Sequence, residues 1–538
     1  VTTSNTPQAD DSDFDFVWNI VTDPSNDTMD VVYAATHGDI YKSSDGGQSW
    51  NKKLGGNNSS YYQYTSVEIT SSGVVYAAIS SNCVDKGVWR SPDGETWTKI
   101  IDGNFPGVYD RIALAINPNN EDEVYCLAAS TTGFGQFTDV FFGGSTWTSL
   151  WKYNYISGDG SGMGAQWTDL SSNIPANQPT TFDNFNSQSS YNLMIKVHPS
   201  DQNTIYIGGT NLWRSTDGFT TQNNTIICGG YLIGSYEGDG NWGVYPNHHP
   251  DQHDILFLPS NDNIVLSATD GGVYKSYDTF ADTVVWTSLN NGYYTTQLYA
   301  VTVSRNANSK VMHGGFQDNG NFITFSDDIE SIWNMPFNGD GCFAGIADNE
   351  EDFYLTIQRG VMYKMKLDTN ANRLAFNRMD PASIDSNDYQ FINPMTMDKN
   401  SDIFYEASAV ELLMSYTGSL AILYDPDWLK LWEKRFGDPL IDAETFKLRS
   451  DGTLSEIGNE PESLEQVEGQ YMGLLKFTPQ GWKAIMELRA LMSETEQDDM
   501  HMTGMLNLII QKNILPITAV PNNSAWGEID NQTDLNLY

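Results

Sequence analysis

The stretch Val31–Trp50, VVYAATHGDIYKSSDGGQSW, decides the fold. VVYAAT is a short apolar run of β-branched, aromatic and small residues. DIYKS alternates, and SSDGGQSW carries turn chemistry, so the unit reads as two strands and a tight turn. Asp45 is placed to accept hydrogen bonds from nearby backbone N–H groups, and Gly46 and Gly47 suit positive φ. Trp50 then enters the next strand as an apolar anchor. Working outward, the unit recurs as GVVYAAIS with GVWRSPDGETW (73–80, 87–97), EVYCLAAS with SLWKYN and QWTDL (123–130, 149–154, 166–170), and TIYIGGTNLWRSTDGFTT (204–221). It returns in NIVLSATDGGVYKSYDTFADTVVWTSL (263–289), KVMHGGFQDNGNFITFS (310–326) and DFYLTIQRGVMYKMKL (352–367). A further apolar strand precedes most copies, as in RIALAINP (111–118) and LYAVTVS (298–304). Four short strands per copy are the pattern of propeller blades. The expectation is an all-β propeller of about seven blades over residues 15–400, after a polar leader (1–14). Phe391–Asp398 reads as the start of a truncated eighth blade.

The composition agrees with a loop-rich β body: aromatic residues make up 12% of the 538, and Gly numbers 46. The net charge of −41 argues against nucleic acid or an anionic membrane as partner. No apolar run is long enough to span a bilayer. Residue 1 is Val and no signal-type segment opens the chain, which therefore reads as a mature or truncated sequence. The four Cys (83, 126, 228, 342) show no metal-ligand spacing and fit either buried thiols or up to two disulfides.

The turns themselves carry a resemblance. Ser43-x-Asp45-x-Gly47-x-Ser49-Trp50, the segment Ser91–Trp97 with Asp93 and Trp97, Ser215-Thr216-Asp217-Gly218 and the degenerate turn at Asp278 resemble Asp-box (BNR) repeats. These occur in sialidase-like and sortilin-like propellers. The segments 287–304 and 314–320 (GGFQDNG) are similar to large secreted Asp-box propellers of bacteria. The resemblance implies an extracellular or cell-surface module that binds a glycan or protein ligand, and implies the fold more strongly than any chemistry.

Near residue 400 the rhythm changes. ASAVELLM (407–414) and DWLKLWEKRF (427–436) have helical patterning, and Thr478-Pro479 supplies an N-cap and a proline at N1. AILYD (421–425), TFKL (445–448) and YMGLLKF (471–477) read as strands between helices, which is α/β patterning. SDIFYEASAVE (401–411), ILYDPDWLKLWEKRFGDPLIDAETFKL (422–448), EIGNEP (456–461), EGQYMGLLKFTPQGW (468–482) and WGEIDNQTDLNLY (526–538) resemble the C-terminal half of phosphocholine- and phosphonate-type cytidylyltransferases, cytoplasmic enzymes. The resemblance implies that Asp402 and Asp530 bind Mg²⁺ and that Glu444 and Tyr471 lie in the acceptor region. Two carboxylates on one Mg²⁺ suit nucleotidyl transfer, because the metal neutralises charge at the α-phosphate. The family's Gly-rich nucleotide loop has no counterpart in this sequence. GDGSGMGAQW (158–167) follows no suitable strand and carries no Lys or Arg. Residues 401–538 are therefore expected to be an incomplete, inactive α/β segment. Met397–Ala407 reads equally as a propeller strand or as the transferase's metal strand, and a chimera is one expectation.

Two constellations remain. NHHPDQHD (247–254) offers His248, His249, Asp251, His253 and Asp254 as a Zn or Ca site, or else forms a polar turn into the strand ILFLP. Asp270 in TDGG, Asp318 in QDNG and Asp340 in GDGC are candidates for paired-carboxylate glycoside hydrolysis, or else are turn residues. Sialidase activity is not expected, since no Arg cluster is apparent to clamp a carboxylate. Three functions follow: a propeller used for binding or scaffolding with an inactive transferase fragment, a propeller glycoside hydrolase, or a cytidylyltransferase whose nucleotide loop is supplied elsewhere.

Overall fold

In a computed structural model the chain forms two compact units, Val1–Met395 and Thr396–Tyr538. The described residues are 13–56, 63–101, 103–130, 133–140, 144–237, 241–292, 296–306, 308–380, 389–395, 403–493, 496–497 and 500–528.

The first unit is a β-propeller. Its described residues form seven antiparallel sheets, each led by an inner strand: Val17–Thr22, Thr65–Ile69, Tyr109–Ile116, Met194–His198, Gln252–Leu258, Leu298–Val303 and Ala344–Ile346. Blade one continues through Val32–Thr36, Asp39–Ser43 and Asn51–Gly55 in simple meander order. Blade three is enlarged: Ser145–Tyr155 pairs with both Gln136–Asp139 and Ala165–Asp169. A two-stranded hairpin, Tyr231–Glu237 with Asn241–Val244, sits between blades four and five.

The apolar runs are continuous because the blades are covered on both faces. In blade two Val75, Ala77 and Ile79 pack against blade one. The alternate residues Tyr76 and Ala78 pack against blade three. The same two-residue alternation sends Val124, Cys126 and Ala128 one way and Tyr125, Leu127 and Ala129 the other. Such clusters fill the one/two, two/three, three/four, four/five and six/seven junctions. Of the tryptophans expected between blades, Trp97 packs on the one/two cluster and Trp286 is part of the four/five cluster. Trp50 is half-buried against Phe14, with ring centroids 5.4 Å apart.

All four cysteines are buried and free, so the disulfide alternative does not hold. The expected eighth-blade strand is also corrected. Phe391–Met395 forms no strand, and Thr396–Asp398 lies outside the described residues. Pro394 lacks the N–H that a paired strand uses, which weakens the apolar pattern there.

The second unit is α/β. Leu420–Asp425 is the middle of a three-stranded sheet, parallel to Thr518–Pro521 and antiparallel to Gln470–Phe477. Four helices cover it among the described residues: α1 (Ala407–Met414), α2 (Leu429–Phe436), α3 (Pro479–Arg489) and α4 (Met502–Gln511). Thr478 caps α3 as expected, accepting from Gly481 N at 3.2 Å. Trp432 of α2 is fully buried at the centre of this unit's core. Among the described residues no helix is long and apolar enough to cross a membrane.

Candidate functional site

The antiparallel meander sorts the aspartates before any contact is considered. The third-to-fourth-strand turns lie at one edge of a blade. The start of the first strand, the second-to-third turn and the end of the fourth strand lie at the other. Asp45, Asp93, Asp217 and Asp278 all occupy third-to-fourth turns. Asp251 directly precedes an inner strand, Asp270 and Asp318 sit in second-to-third turns, and Asp340 follows a fourth strand. These four therefore share the opposite edge.

The Ser–Asp–Gly turns are closed structures. Ser43 is buried; its Oγ donates to Asp45 Oδ1 at 2.7 Å and accepts from Gly47 N at 2.8 Å. Asp45 also accepts from Ser49 N at 2.8 Å and Ser49 Oγ at 2.6 Å. These donors, the Ser49 hydroxyl foremost, hold the Asp45 carboxyl down at about 2. Asp93 and Asp217 are likewise held below the usual carboxylate range, by backbone N–H groups of Thr96 and Glu95 and by side chains of Thr221, Asn224 and Ser215 respectively. Phe280 N donates to Asp278 at 3.0 Å. Each carboxylate is occupied by its own turn.

At the other edge the network crosses blades. Asn192, just ahead of the blade-four inner strand, donates through Nδ2 to Asp251 Oδ1 at 2.6 Å. Asp270 N donates to Asp251 O at 3.2 Å. The Asp270 carboxylate receives Tyr191 OH at 3.3 Å and pairs with His253 Nε2. From blade six, Asn319 Nδ2 donates to Asp270 O at 3.2 Å, and Asp318 N donates to Asp340 Oδ1 at 3.0 Å. His249 Nε2 lies 2.7 Å from Asp318 O. Among the described residues the five/six junction has no apolar cluster; these polar contacts bridge it.

Burial pushes Asp251 up to about 8, helped by the charges of Asp270 and Asp340 and opposed by the Asn192 donor. Burial also pushes Asp318 up to about 8, with the charges of Asp340 and Asp270 and a hydrogen bond to Asp340 adding to it. Tyr191 and Tyr231 are raised by burial and then by these carboxylates, and Tyr299 reaches about 12. The backbone is also unusual here. Asp251 (φ 65°) and Asp318 (φ 57°) are left-handed, and so are three consecutive residues, Gln188 (44°), Ser189 (55°) and Ser190 (80°). Left-handed non-glycine residues cost on the order of 1 kcal/mol or more each and gather at functional sites. Arg111 of blade three holds the end of this run, its Nη1 donating to the carbonyls of Ser190 (3.3 Å) and Tyr191 (2.9 Å).

The structure thus brings Asp270, Asp318 and Asp340 together and adds Asp251, which the sequence grouped with metal ligands. That metal group is corrected. His248 turns into the core, where Nδ1 accepts from Gly230 N at 3.2 Å and Nε2 meets Ser267 Oγ at 3.0 Å. Its ring packs on Trp286, and burial lowers its pKa to about 3. His249 faces the Asp318 carbonyl, His253 pairs with Asp270, and Asp254 pairs with Lys196 at 3.5 Å. Among the described residues no three His, Cys, Asp or Glu side chains converge to hold a metal ion. The stretch is the polar turn into an inner strand. Asn192, Tyr191 and Arg111 were not signalled by the sequence. Their one shared cue is positional: all lie on or just before inner strands of neighbouring blades.

In the second unit Glu444 lines an open cavity of about 440 Å³ with Gly458, Glu496, Met500, His501, Thr503 and Gly504. Burial raises the Glu444 pKa against a hydrogen bond from Thr503 Oγ1 at 3.4 Å. Tyr471 lies close enough for the Glu444 charge to add to the effect of its burial. Asp402 and Asp530 lie outside the described residues. Between them, Ile403–Tyr405 pairs antiparallel with Trp526–Glu528, and Arg435 Nη1 binds Glu528 at 2.7 Å.

No family model matches the chain. A curated relative, CTP:phosphoglutamine cytidylyltransferase of Campylobacter jejuni subsp. jejuni serotype O:2, is 34% identical over 143 residues. That match is 26% of this chain and 56% of the relative, so the chain spans little more than half of that protein's length. Among solved structures, the GH74 enzyme of Niastella koreensis aligns with a TM-score of 0.36 at 15% identity, over 72% of this chain and 59% of that one. YCF48 from Cyanidioschyzon merolae aligns with a TM-score of 0.30 at 11% identity, over 63% and 92%. The chain is similar to a cytidylyltransferase over about a quarter of its length.

Proposed function

We propose that the protein is an Asp-box-type extracellular β-propeller that binds a glycan at the edge carrying Asp251, Asp270, Asp318 and Asp340. The observation that carries this reading is the gathering of four carboxyls and Tyr191 from three blades at one edge, with Asp251 and Asp318 on left-handed backbone. Carboxylates accept from sugar hydroxyls, and neutral carboxyls at Asp251 and Asp318 donate to them. A screen of the full chain on a glycan array tests it. Binding to a protein ligand with no glycan retained would replace this reading.

A second reading is favoured by one feature. Asp318 holds its proton to about 8 beside Asp340, with which it shares a hydrogen bond. A protonated acid beside a second carboxyl is the pair that glycoside hydrolysis uses. Hydrolysis of an array-positive glycan, lost in Asp318→Asn and Asp340→Asn alike, would establish it. The second unit is read as a cytidylyltransferase-like segment without turnover of its own. CTP and Mg²⁺ turnover by the full chain, abolished by Asp402→Ala, would overturn that view.

A further inference from the structure

The carboxyl cluster is short of positive charge. Its nearest nitrogen partner on a basic side chain is His253 Nε2, against Asp270. Lys196 of the adjoining blade is directed to Asp254 instead, and Arg111 donates to backbone carbonyls. Among the described residues no Lys or Arg stands at ion-pair distance from Asp251, Asp270, Asp318 or Asp340. Neighbouring carboxylates in a low-dielectric site cannot all ionise without a counter-charge.

A second observation points to a ligand. Asn192 is fully buried and extends its amide into the cluster, where Nδ2 is used on Asp251. Its Oδ1 is buried and has no hydrogen-bond partner. A buried acceptor without a donor is costly, and such groups are rare in native structures. The site is thus rich in acceptors and poor in donors. Donors with positive charge complement both shortages, and a primary ammonium brings three N–H groups on one small head.

We propose that this edge of the propeller selects a glycan bearing a free ammonium group, with Asp251, Asp270, Asp318 and Asp340 as counter-charges and the Asn192 amide oxygen as a neutral acceptor. The proposal rests on the glycan reading and narrows it to amino sugars that are not N-acylated. An incoming ammonium replaces protons in the cluster, so binding releases protons at pH values where the amine itself is fully protonated, and weakens once rising pH discharges the amine. The groups facing the cluster from the packed elements are His249, His253, Tyr191, Tyr231 and Tyr299.

The test is isothermal titration of the full chain at about 0.15 M salt, where long-range attraction to its acidic surface is screened. The probes are a glucosamine tetramer, its fully N-acetylated counterpart and cellotetraose. Buffers of different ionisation enthalpy count the protons released. The expected result is at least tenfold tighter binding of the glucosamine tetramer than of the other two, with net proton release. That preference is lost in both Asp270→Asn and Asp318→Asn. Asn tolerates left-handed φ, so Asp318→Asn keeps its backbone. Equal or tighter binding of the acetylated tetramer or cellotetraose overturns the ammonium proposal and leaves the glycan reading standing. Preference for glucosamine that survives both substitutions assigns the effect to general surface charge and also overturns it. Failure of all three tetramers, with no glycan retained on the array, overturns both.

Discussion

The two edges of one propeller use the same residue to opposite ends. At the turn edge, Asp45 is surrounded by Ser43 and Ser49 donors and is held ionised down to about 2. At the other edge, Asp251 and Asp318 are buried among further carboxyls and hold protons up to about 8. What separates them is the source of their neighbours. A turn aspartate is satisfied within seven residues of its own chain, and satisfaction removes it from chemistry. A cross-blade aspartate meets groups from other blades, which are themselves carboxyls, so it stays available to a ligand. A short turn motif thus shapes a blade, while the juxtaposition of blades shapes a site.

The comparison breaks most visibly if ligand binding ignores the edge on which a carboxyl lies. Asp318→Asn is expected to weaken glycan binding about a hundredfold by equilibrium titration, while Asp45→Asn leaves it unchanged; equal losses would erase the distinction. Arg111→Met should cost about tenfold in affinity, because it frees the carbonyls that fix Tyr191 and Asn192 without touching a carboxyl. A change in thermal stability with no change in affinity would reduce Arg111 to a packing role. Ser43→Ala should destabilise the first unit by about 1–2 kcal/mol in denaturant unfolding, since it removes the buried Ser43 hydroxyl that accepts from Gly47 N and fixes the turn. Binding should be unaffected. The smallest effect is the pH dependence. Asp251 and Asp318 are raised above their unfolded value near 4, so they stabilise the fold at low pH, and that contribution is lost as pH rises through about 8. Melting temperature should fall by a few degrees between pH 6 and 9, and the fall should shrink in Asp318→Asn. Asp45 has the reverse sign: its contribution persists above pH 4 and is lost as pH drops toward 2.

This contrast explains what could be read from the chain alone. Blade strands and Ser–Asp–Gly turns are local: two-residue alternation and turn chemistry within some twenty residues identify Tyr33, Ser43 and Asp45. The site is not local. Asn192, Asp251, Asp270, Asp318 and Asp340 are spread over nearly 150 residues, and nothing in the spacing of one anticipates another. Asp270, Asp318 and Asp340 read in the sequence as candidates for paired carboxylates or as turn residues, and no spacing decides between the two. Asp251 lies among three nearby histidines that suggest a metal group, but the turn ahead of the inner strand places His248 in the core, and His253, on the strand, meets Asp270. The unrealised eighth-blade strand has the same lesson: the apolar residues of FINPM resemble a strand, but Pro394 cannot complete a ladder. In the second unit, helices and caps are legible, whereas the open cavity at Glu444 depends on the start of α4, with Thr503 and Gly504, lying beside it.

The four free thiols turn the ring into its own instrument. Cys83 belongs to the second blade's core, Cys126 to the third, Cys228 to the fourth, and Cys342 follows Asp340 at the carboxyl edge. Burial pushes Cys228 and Cys342 up to about 12, so an alkylating reagent reacts only when the surrounding structure opens. Labelling rates at these four stations therefore time the opening of successive blades without any engineered probe. Cys342, whose thiol donates to the Asp340 carbonyl at 3.3 Å, times the opening of the carboxyl edge.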